Sequence, residues 1–390
     1  MNYIGSKFSL LSEIGSMIDR HSPLSGDFCD IFSGTTVVGQ MAKKRGYSVI
    51  SNDIQYYSYI YQRALIGANQ YPTFDVLRIE VKEIDNALER TNRPGFGLGN
   101  IPSSEARYLN KVLGYLESLE PTSGKFYEEY CEGGEAGRSY FTADNGMRCQ
   151  SIRDKIAEWH NNSLLNDIEM SILLASLLET MDSVANTASV YGAYLKHIKK
   201  SAAQPLVLRM PKILPSELEH QAYCDDANAT IKKLAVSGKR GILYIDPPYN
   251  RRQYSSNYHI LETIARWDLE LFSPVGKTGL RVSEEQRSKY CLKSEVYKAF
   301  SDLIHSANFD HIIISYSNEG LLSEEELKEI LLSRCSSGNY EFKKIPYKRF
   351  KADVDENRLY SADEVEEFLF YIKADPIEVC DSQLKPAVAS

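Results

Sequence analysis

Leu243-Tyr244-Ile245-Asp246-Pro247-Pro248-Tyr249-Asn250 decides how the rest of the chain is read. Gly241 to Ile245 is apolar after a glycine and includes the β-branched Ile242 and Ile245, which predicts a short buried strand. An acid and two prolines follow. Prolines cannot continue a central strand, so the chain leaves the sheet there. In open α/β sheets ligands bind at the carboxyl edge of the strands. One carboxylate, one rigid turn and one aromatic ring are thus expected together in a cleft.

That set suits reaction at a weakly nucleophilic amine such as the exocyclic amine of adenine. The Asp246 carboxylate and the Pro247 carbonyl can each accept one amine hydrogen. The prolines fix the direction of that carbonyl and add no competing N–H. Both acceptors strengthen as positive charge develops on nitrogen. Tyr249 offers a face on which a base can stack. The same residues equally suit a proline-rich strand exit whose acid caps a local turn.

Upstream, Phe28 to Phe32 reads as a strand, Ser33-Gly34-Thr35-Thr36 as a turn, Val37 to Arg45 as a helix and Tyr47 to Ser51 as a second strand ending at Asn52-Asp53. An acid at the end of the second strand, about 20 residues past the first turn, can accept hydrogen bonds from ribose hydroxyls. The turn lacks G-x-G-x-x-G, which a pyrophosphate requires. The pattern therefore leans to S-adenosylmethionine over NAD. Tyr223 to Asn228 carries Asp226, either a site acid or a helix N-cap, before a helix from Ala229 to Ala235.

The chain has 390 residues, 43% hydrophobic and 25% charged, enough for a sizeable core or two domains. The start, MNYIGSKFSLL, has no signal core or cleavage site, and the apolar run from Leu164 to Val184 carries four acids, so no membrane segment is expected. The seven scattered cysteines contain no C-x-x-C, so neither a metal site nor a disulfide framework is suggested and a reducing cytoplasm fits. The net charge of −8 does not mark a general nucleic-acid binder, yet a local basic face suffices for binding. Lys196, Lys199 and Lys200, Arg251 and Arg252, and Lys343 to Lys351 are candidates for such a face, or simply solvated surface.

Asn69 to Gln221 interrupts the α/β pattern. Helices are expected at Phe74–Leu88, Glu105–Leu119, Ile152–Trp159 and Leu164–Ala185, looser pieces at Thr91–Ser104 and Glu132–Gly146, and a strand at Pro205–Met210. Beyond the catalytic turn the pattern predicts a helix from Ile260 to Trp267, a buried strand from His311 to Tyr316 and a helix opened by a capping box at Ser323. Tyr340–Ile345 and Glu367–Ile372 should close the sheet as an antiparallel pair.

The segments NYIGSK, DIFSGTTVVG, SNDI, CDDAN and DPPYNRRQYSSNYHILETIA occur in this order. Together they resemble Dam-type, alpha-group adenine-specific DNA methyltransferases, and the later stretches resemble members from restriction–modification systems. The resemblance covers Met1 to about Ile372. It implies a Rossmann-like S-adenosylmethionine-dependent methyltransferase sheet in residues 1–68 and 222–373, a mostly helical inserted target-recognition domain in 69–221, and a loose tail in 374–390. By position, Tyr3, Lys7, Asp30, Phe32, Ser33, Gly34, Asp53, Asp226 and Ala227 match cofactor-binding positions, and Asp246, Pro247 and Tyr249 match the catalytic set. Thr36 stands where many members have a second glycine, which should make the turn bulkier. The implied partners are double-stranded DNA with a specific sequence and a paired restriction endonuclease. Arg251, Arg252, Lys196 and Lys199 are the DNA-contact candidates, with Arg138, Arg148 and Arg153 as further ones in the insertion. Two other readings stay open: an amine methyltransferase acting on cytosine or RNA, and a catalytically dead DNA-binding relative.

Overall fold

The computed structural model describes residues 4–376 except 24, 239, 337 and 349–363. Seven strands form one sheet: β1 (Asp27–Asp30), β2 (Ser48–Asn52), β3 (Gln221–Tyr223), β4 (Ile242–Ile245), β5 (His311–Ser317), β6 (Tyr340–Lys348) and β7 (Glu364–Lys373). Their order is β3-β2-β1-β4-β5-β7-β6. β1 to β5 are parallel to one another, and β7 runs antiparallel between β5 and β6.

Both faces of the sheet are covered, which is why its central strands read as continuous apolar runs. Side chains alternate between the faces. Leu243 and Ile245 of β4 enter a core with the helices Ala227–Val236, Val296–Ser306 and Glu324–Leu332. Ile242 and Tyr244 enter the opposite core, with the helices Leu11–His21 and Val37–Lys44. The same phase splits β7: Phe368, Phe370 and Ile372 face the first core, Leu369 and Tyr371 the second.

The helical region between β2 and β3 has a third core, which it shares with the α/β part. Residues from the helices Arg107–Glu117, Ala143–Asn161 and Asp167–Ser183 pack in one cluster with Tyr57, Ile60 and Tyr61 after β2 and with Tyr258, Ile260, Leu261 and Ile264 after β4. The helix Asp167–Ser183 is buried nearly all round and starts with a capping box formed by Asn166 and Glu169. Its later acids are partnered, Glu179 by the Tyr61 hydroxyl and Asp182 by that of Tyr191. No helix among the described residues is long and apolar enough to cross a membrane.

Several elements depart from their expected form. The run Phe74–Leu88 breaks into the helix Asp75–Glu80 and a 3-10 turn Lys82–Asn86, with Val81 leaving helical geometry between them. The strand expected at Pro205–Met210 shrinks to Met210–Pro211, paired with Gly95–Phe96. Side chains take the place of a ladder there: Leu208 N–H donates to Glu117 Oε1 at 2.7 Å, and Leu208 C=O accepts from Arg93 Nη1 at 2.7 Å. The helix after β2 begins at Tyr56 and widens into a π turn over Gln62–Gly67. The buried Lys43 ammonium caps that turn, donating to the carbonyls of Ile66 and Ala68 at 2.7 Å each. The strand β3 and the helix Val296–Ser306 were not anticipated. The capping box at Ser323 and the antiparallel closing strands are found where expected.

Gly241 sets the start of β4. It has φ 108°, and a Cβ there would overlap the Asp27 carbonyl oxygen at the start of β1. Gly241→Ala should therefore cost about 1–3 kcal/mol or more. A denaturant midpoint equal to that of the wild type would show that this close approach does not constrain the sheet.

Candidate functional site

Four strands deliver acids to one edge of the sheet. β1 ends at Asp30, Asp53 follows β2, Asp225 and Asp226 follow β3, and Asp246 follows β4. The strand order turns back between β1 and β4, so Asp30 and Asp246 flank the crevice where such sheets bind ligands. A cleft opens there, lined by all five acids and by Lys7, Phe32, Tyr249 and Tyr290.

The turn after β1 is locked to the end of β2. Ser33 N–H donates to Asn52 C=O at 2.8 Å, and Asn52 N–H returns a bond to Ser33 Oγ at 3.1 Å. Asp53 braces both sides of the crevice floor: Oδ2 accepts from Gly34 N–H and Oδ1 from Gln55 N–H, each at 2.9 Å. Each oxygen retains accepting capacity. Thr36 corrects an expectation. It does not crowd the cleft: its side chain is fully buried, and its Oγ1 accepts from Gln40 Nε2 at 3.1 Å. What distinguishes it from glycine is its φ of 64°, which a β-branched residue rarely adopts.

The Asp246-Pro247-Pro248 turn meets the N-terminal segment at a buried charge cluster. Lys7 Nζ lies 3.0 Å from Asp246 Oδ1 and 2.8 Å from Glu367 Oε1. Lys7 is 4% exposed, and Glu367 equally so. Burial opposes the charge on Lys7, but the two carboxylates outweigh it and hold its pKa well above the usual lysine value. Burial pushes Asp246 up to about 7, with Lys7 pulling down and Glu367 adding to the rise. Burial likewise raises Asp30 to about 8, helped by Asp246 and opposed by a bond from Gly39 N–H. Asp53 is raised to about 6 by burial against its backbone bonds.

The site gathers most of the expected residues. Tyr3 lies outside the described residues. Phe32 packs edge-on against Tyr290 at 4.9 Å. Asp226 is both an N-cap, accepting from Ala229 N–H at 3.1 Å, and a cleft residue beside Ala227. Tyr249 meets Tyr316 in a T-shaped contact, and Lys7 Nζ lies 5.7 Å from its ring centroid. The N-terminal segment is held by Tyr258, whose hydroxyl accepts from Ile4 N–H at 2.8 Å.

The basic candidates divide. Arg251, Arg252 and Lys196 are exposed. The Arg252 guanidinium lies against Gly192, and Tyr191 N–H donates to Asn257 C=O at 2.9 Å, so the stretch 191–196 adjoins the loop that follows Asn250. Lys199 is committed instead to the carbonyl of Thr187 at 2.6 Å. Arg138 and Arg153 are buried. Arg153 donates to the carbonyls of Ile264 and Ala265, and Arg138 binds Glu129 and the carbonyl of Gly276, so both hold the helical core and do not face outward. Arg148 pairs with Asp144. Lys343 and Lys344 pair with Glu13 and Glu324, while Arg349 and Lys351 lie outside the described residues.

Sequence reasoning missed Gln253, Gln286, Tyr290, Glu262 and Glu367. Gln253 and Ser288 exchange two bonds of 3.0 and 2.8 Å, which pins the Gln286–Tyr290 loop across the cleft. Buried Glu262 accepts from the N–H groups of Tyr56 and Tyr57, from Arg266 and from Gln286. Only Glu367 left a signal in the sequence, an acid in the apolar phase of a strand.

Asp30 yields a test. Its folded pKa is raised, so the ionised form is penalised and its contribution to stability is lost as pH rises from about 4 through about 8. Asn at this position keeps an acceptor for Gly39 and cannot ionise. Asp30→Asn should therefore gain stability relative to the wild type between pH 5 and pH 9. Denaturation midpoints whose difference stays flat over that range would contradict a buried, uncompensated Asp30.

Residues 3–330 match the family model described as "D12 class N6 adenine-specific DNA methyltransferase". The chain is 41% identical over 376 residues to the Type II methyltransferase M.NlaIII of Neisseria lactamica, a match spanning 96% of this chain and 99% of that protein. It is 41% identical over 378 residues to M.FokI of Planomicrobium okeanokoites, covering 96% of this chain but 53% of that longer protein. With M.CviAII of Paramecium bursaria Chlorella virus 1 it shares 31% identity over 375 residues, 95% of this chain and 98% of the relative. A match over most of the chain, with the family's acids gathered at one sheet edge, places it: the protein belongs to the D12 class of N6 adenine-specific DNA methyltransferases.

Proposed function

We propose that this enzyme uses S-adenosylmethionine to methylate the N6 amine of an adenine extruded from duplex DNA at a specific sequence, as the modification partner of a restriction endonuclease. The order of its segments, cofactor turn first and catalytic turn last, supports placing it in the alpha group. The observation that carries the reading is Asp246 at the carboxyl edge of β4, held by buried Lys7 beside the Pro247 turn and the Tyr249 ring.

The cleft suits the proposed cofactor. Its acids far outnumber its bases, which favours a ligand carrying a sulfonium and an ammonium. Asp30 Oδ1 is buried and has no hydrogen-bond partner among the described residues, which leaves an acceptor for such a ligand. Asp53 would take the ribose hydroxyls, Asp226 and Ala227 the adenine, and Lys7, Asp30, Phe32, Ser33 and Gly34 the amino-acid end. When bound, S-adenosylmethionine supplies a methyl group activated by its sulfonium.

The chain's own residues do the rest. An adenine amine inside a duplex is out of reach, so the base must leave the stack, and Tyr249 offers a ring for it. Asp246 and the Pro247 carbonyl accept the amine hydrogens and stabilise the charge that grows on nitrogen. The nitrogen gains a methyl group and sheds one proton, which a carboxylate poised near neutrality can hold. The helical region 69–221 is proposed to read the DNA sequence. The stretch 191–196 and Arg251–Arg252 form its boundary with the catalytic loop.

Asp246→Ala should lower methyl transfer by at least about 10²-fold, measured with tritiated cofactor. In the wild type, kcat/KM should decline as pH falls below about 7, where Asp246 takes a proton and loses its accepting charge. Near-normal turnover in the variant would end this assignment. Single-molecule sequencing of DNA from expressing cells tests the whole reading, since modified cytosine in place of adenine would favour the alternative amine.

Lys196→Ala and Arg252→Ala should weaken DNA binding across sequences and reduce its salt dependence by about one charge each. Binding isotherms at two ionic strengths with unchanged slopes would remove both residues from the DNA face.

A further inference from the structure

Glu367 stands on β7 in register with Ser317 of β5 and Ile345 of β6. Side chains alternate along a strand, so Glu367 shares the phase of Leu369 and Tyr371 and faces the core built on the helix Leu11–His21. An ionisable group in that buried phase is costly unless it is paired. Its partner is Lys7, at 2.8 Å, and the same ammonium reaches Asp246 at 3.0 Å. One cation thus serves two carboxylates, one from the catalytic turn and one from a strand two places away in the sheet.

We propose that Glu367 is a positioning residue: it holds Lys7 and shares its ammonium, so that Asp246 is oriented without being fully neutralised and remains a strong acceptor for the target amine. The proposal rests on Asp246 being that acceptor. Paired with Lys7 alone, Asp246 would spend its charge on the ammonium and accept hydrogens weakly. With Glu367 drawing on the same ammonium, the cluster retains one negative charge. The shifts agree in direction, since Lys7 is raised by both acids and Asp246 is raised in part by Glu367. The other titratable groups around Asp246 and Lys7 are Asp30 across the crevice, Tyr244 beneath and Tyr249 beside Lys7, and substitution at position 367 leaves these side chains in place.

The test is the pH dependence of kcat for the wild type, Glu367→Gln and Glu367→Asp, with KM for cofactor and for unmethylated plasmid DNA determined in parallel. Glu367→Gln removes a like charge and gives Lys7 wholly to Asp246, so the acid limb should move to lower pH by about one unit, with a plateau kcat reduced roughly 10-fold. Glu367→Asp draws the carboxylate back by one methylene and should shift the limb the same way by less. If Glu367→Gln is too unstable to assay, the Asp variant decides. An acid limb that stays put or moves to higher pH, with activity lowered uniformly across the range, would reduce Glu367 to a structural role and overturn the proposal. A wild type that transfers no methyl group, or whose own acid limb is absent, would instead count against Asp246 as acceptor.

Discussion

The ammonium of Lys7 joins three parts of the chain that are far apart in sequence. It reaches the turn after β4 through Asp246 and the antiparallel strand β7 through Glu367, and it comes itself from a 3-10 turn near the N-terminus. Such a cluster tolerates burial only if every charge has a partner, so each of the three segments constrains the other two. Ile4 and Tyr258 add a second tie between the N-terminus and the helix after the catalytic turn. The floor of the cleft is therefore built from contacts between distant segments more than from local sequence.

The sheet supplies the direction. Parallel strands all present their carboxyl ends on one edge, and an acid placed at the end of each of four strands brings their charges into one crevice. Burial raises the pKa values of Asp30, Asp53 and Asp246, so ionised carboxylates are penalised in the crevice. A cationic ligand there would offset that penalty.

The helical region is bound to the α/β part by a shared apolar core and by buried polar ties. Arg153 is the clearest: from the helix Ala143–Asn161 it donates to the backbone carbonyls of Ile264 and Ala265 in the α/β part. Arg153 and Arg138 read as DNA-facing in the sequence because an arginine in a polar stretch is indistinguishable from a surface cation until its neighbours are known. Their guanidinium groups instead satisfy carbonyls and a carboxylate in the interior.

The strand before Asp246, the first β-turn-helix-β unit and the closing antiparallel pair were legible because apolar runs, glycines and prolines act locally. So were Asp53 and Asp246 as acids at strand ends, whereas Asp30 fell inside its expected strand and Asp226 had no expected strand before it. Thr36 was legible as a departure from glycine, but the reason lay in its backbone angle and not in its bulk. The fate of Pro205–Met210 depended on Arg93 and Glu117, more than ninety residues upstream of its last residues, which take the backbone groups a ladder would have used. Glu367 shows the division most clearly. Sequence alone determined that a strand would run from Glu367 to Ile372. Only the tertiary structure decided that Glu367 would meet Lys7 and, through it, Asp246, because ion pairs form between side chains that the fold brings together, whatever their separation along the chain.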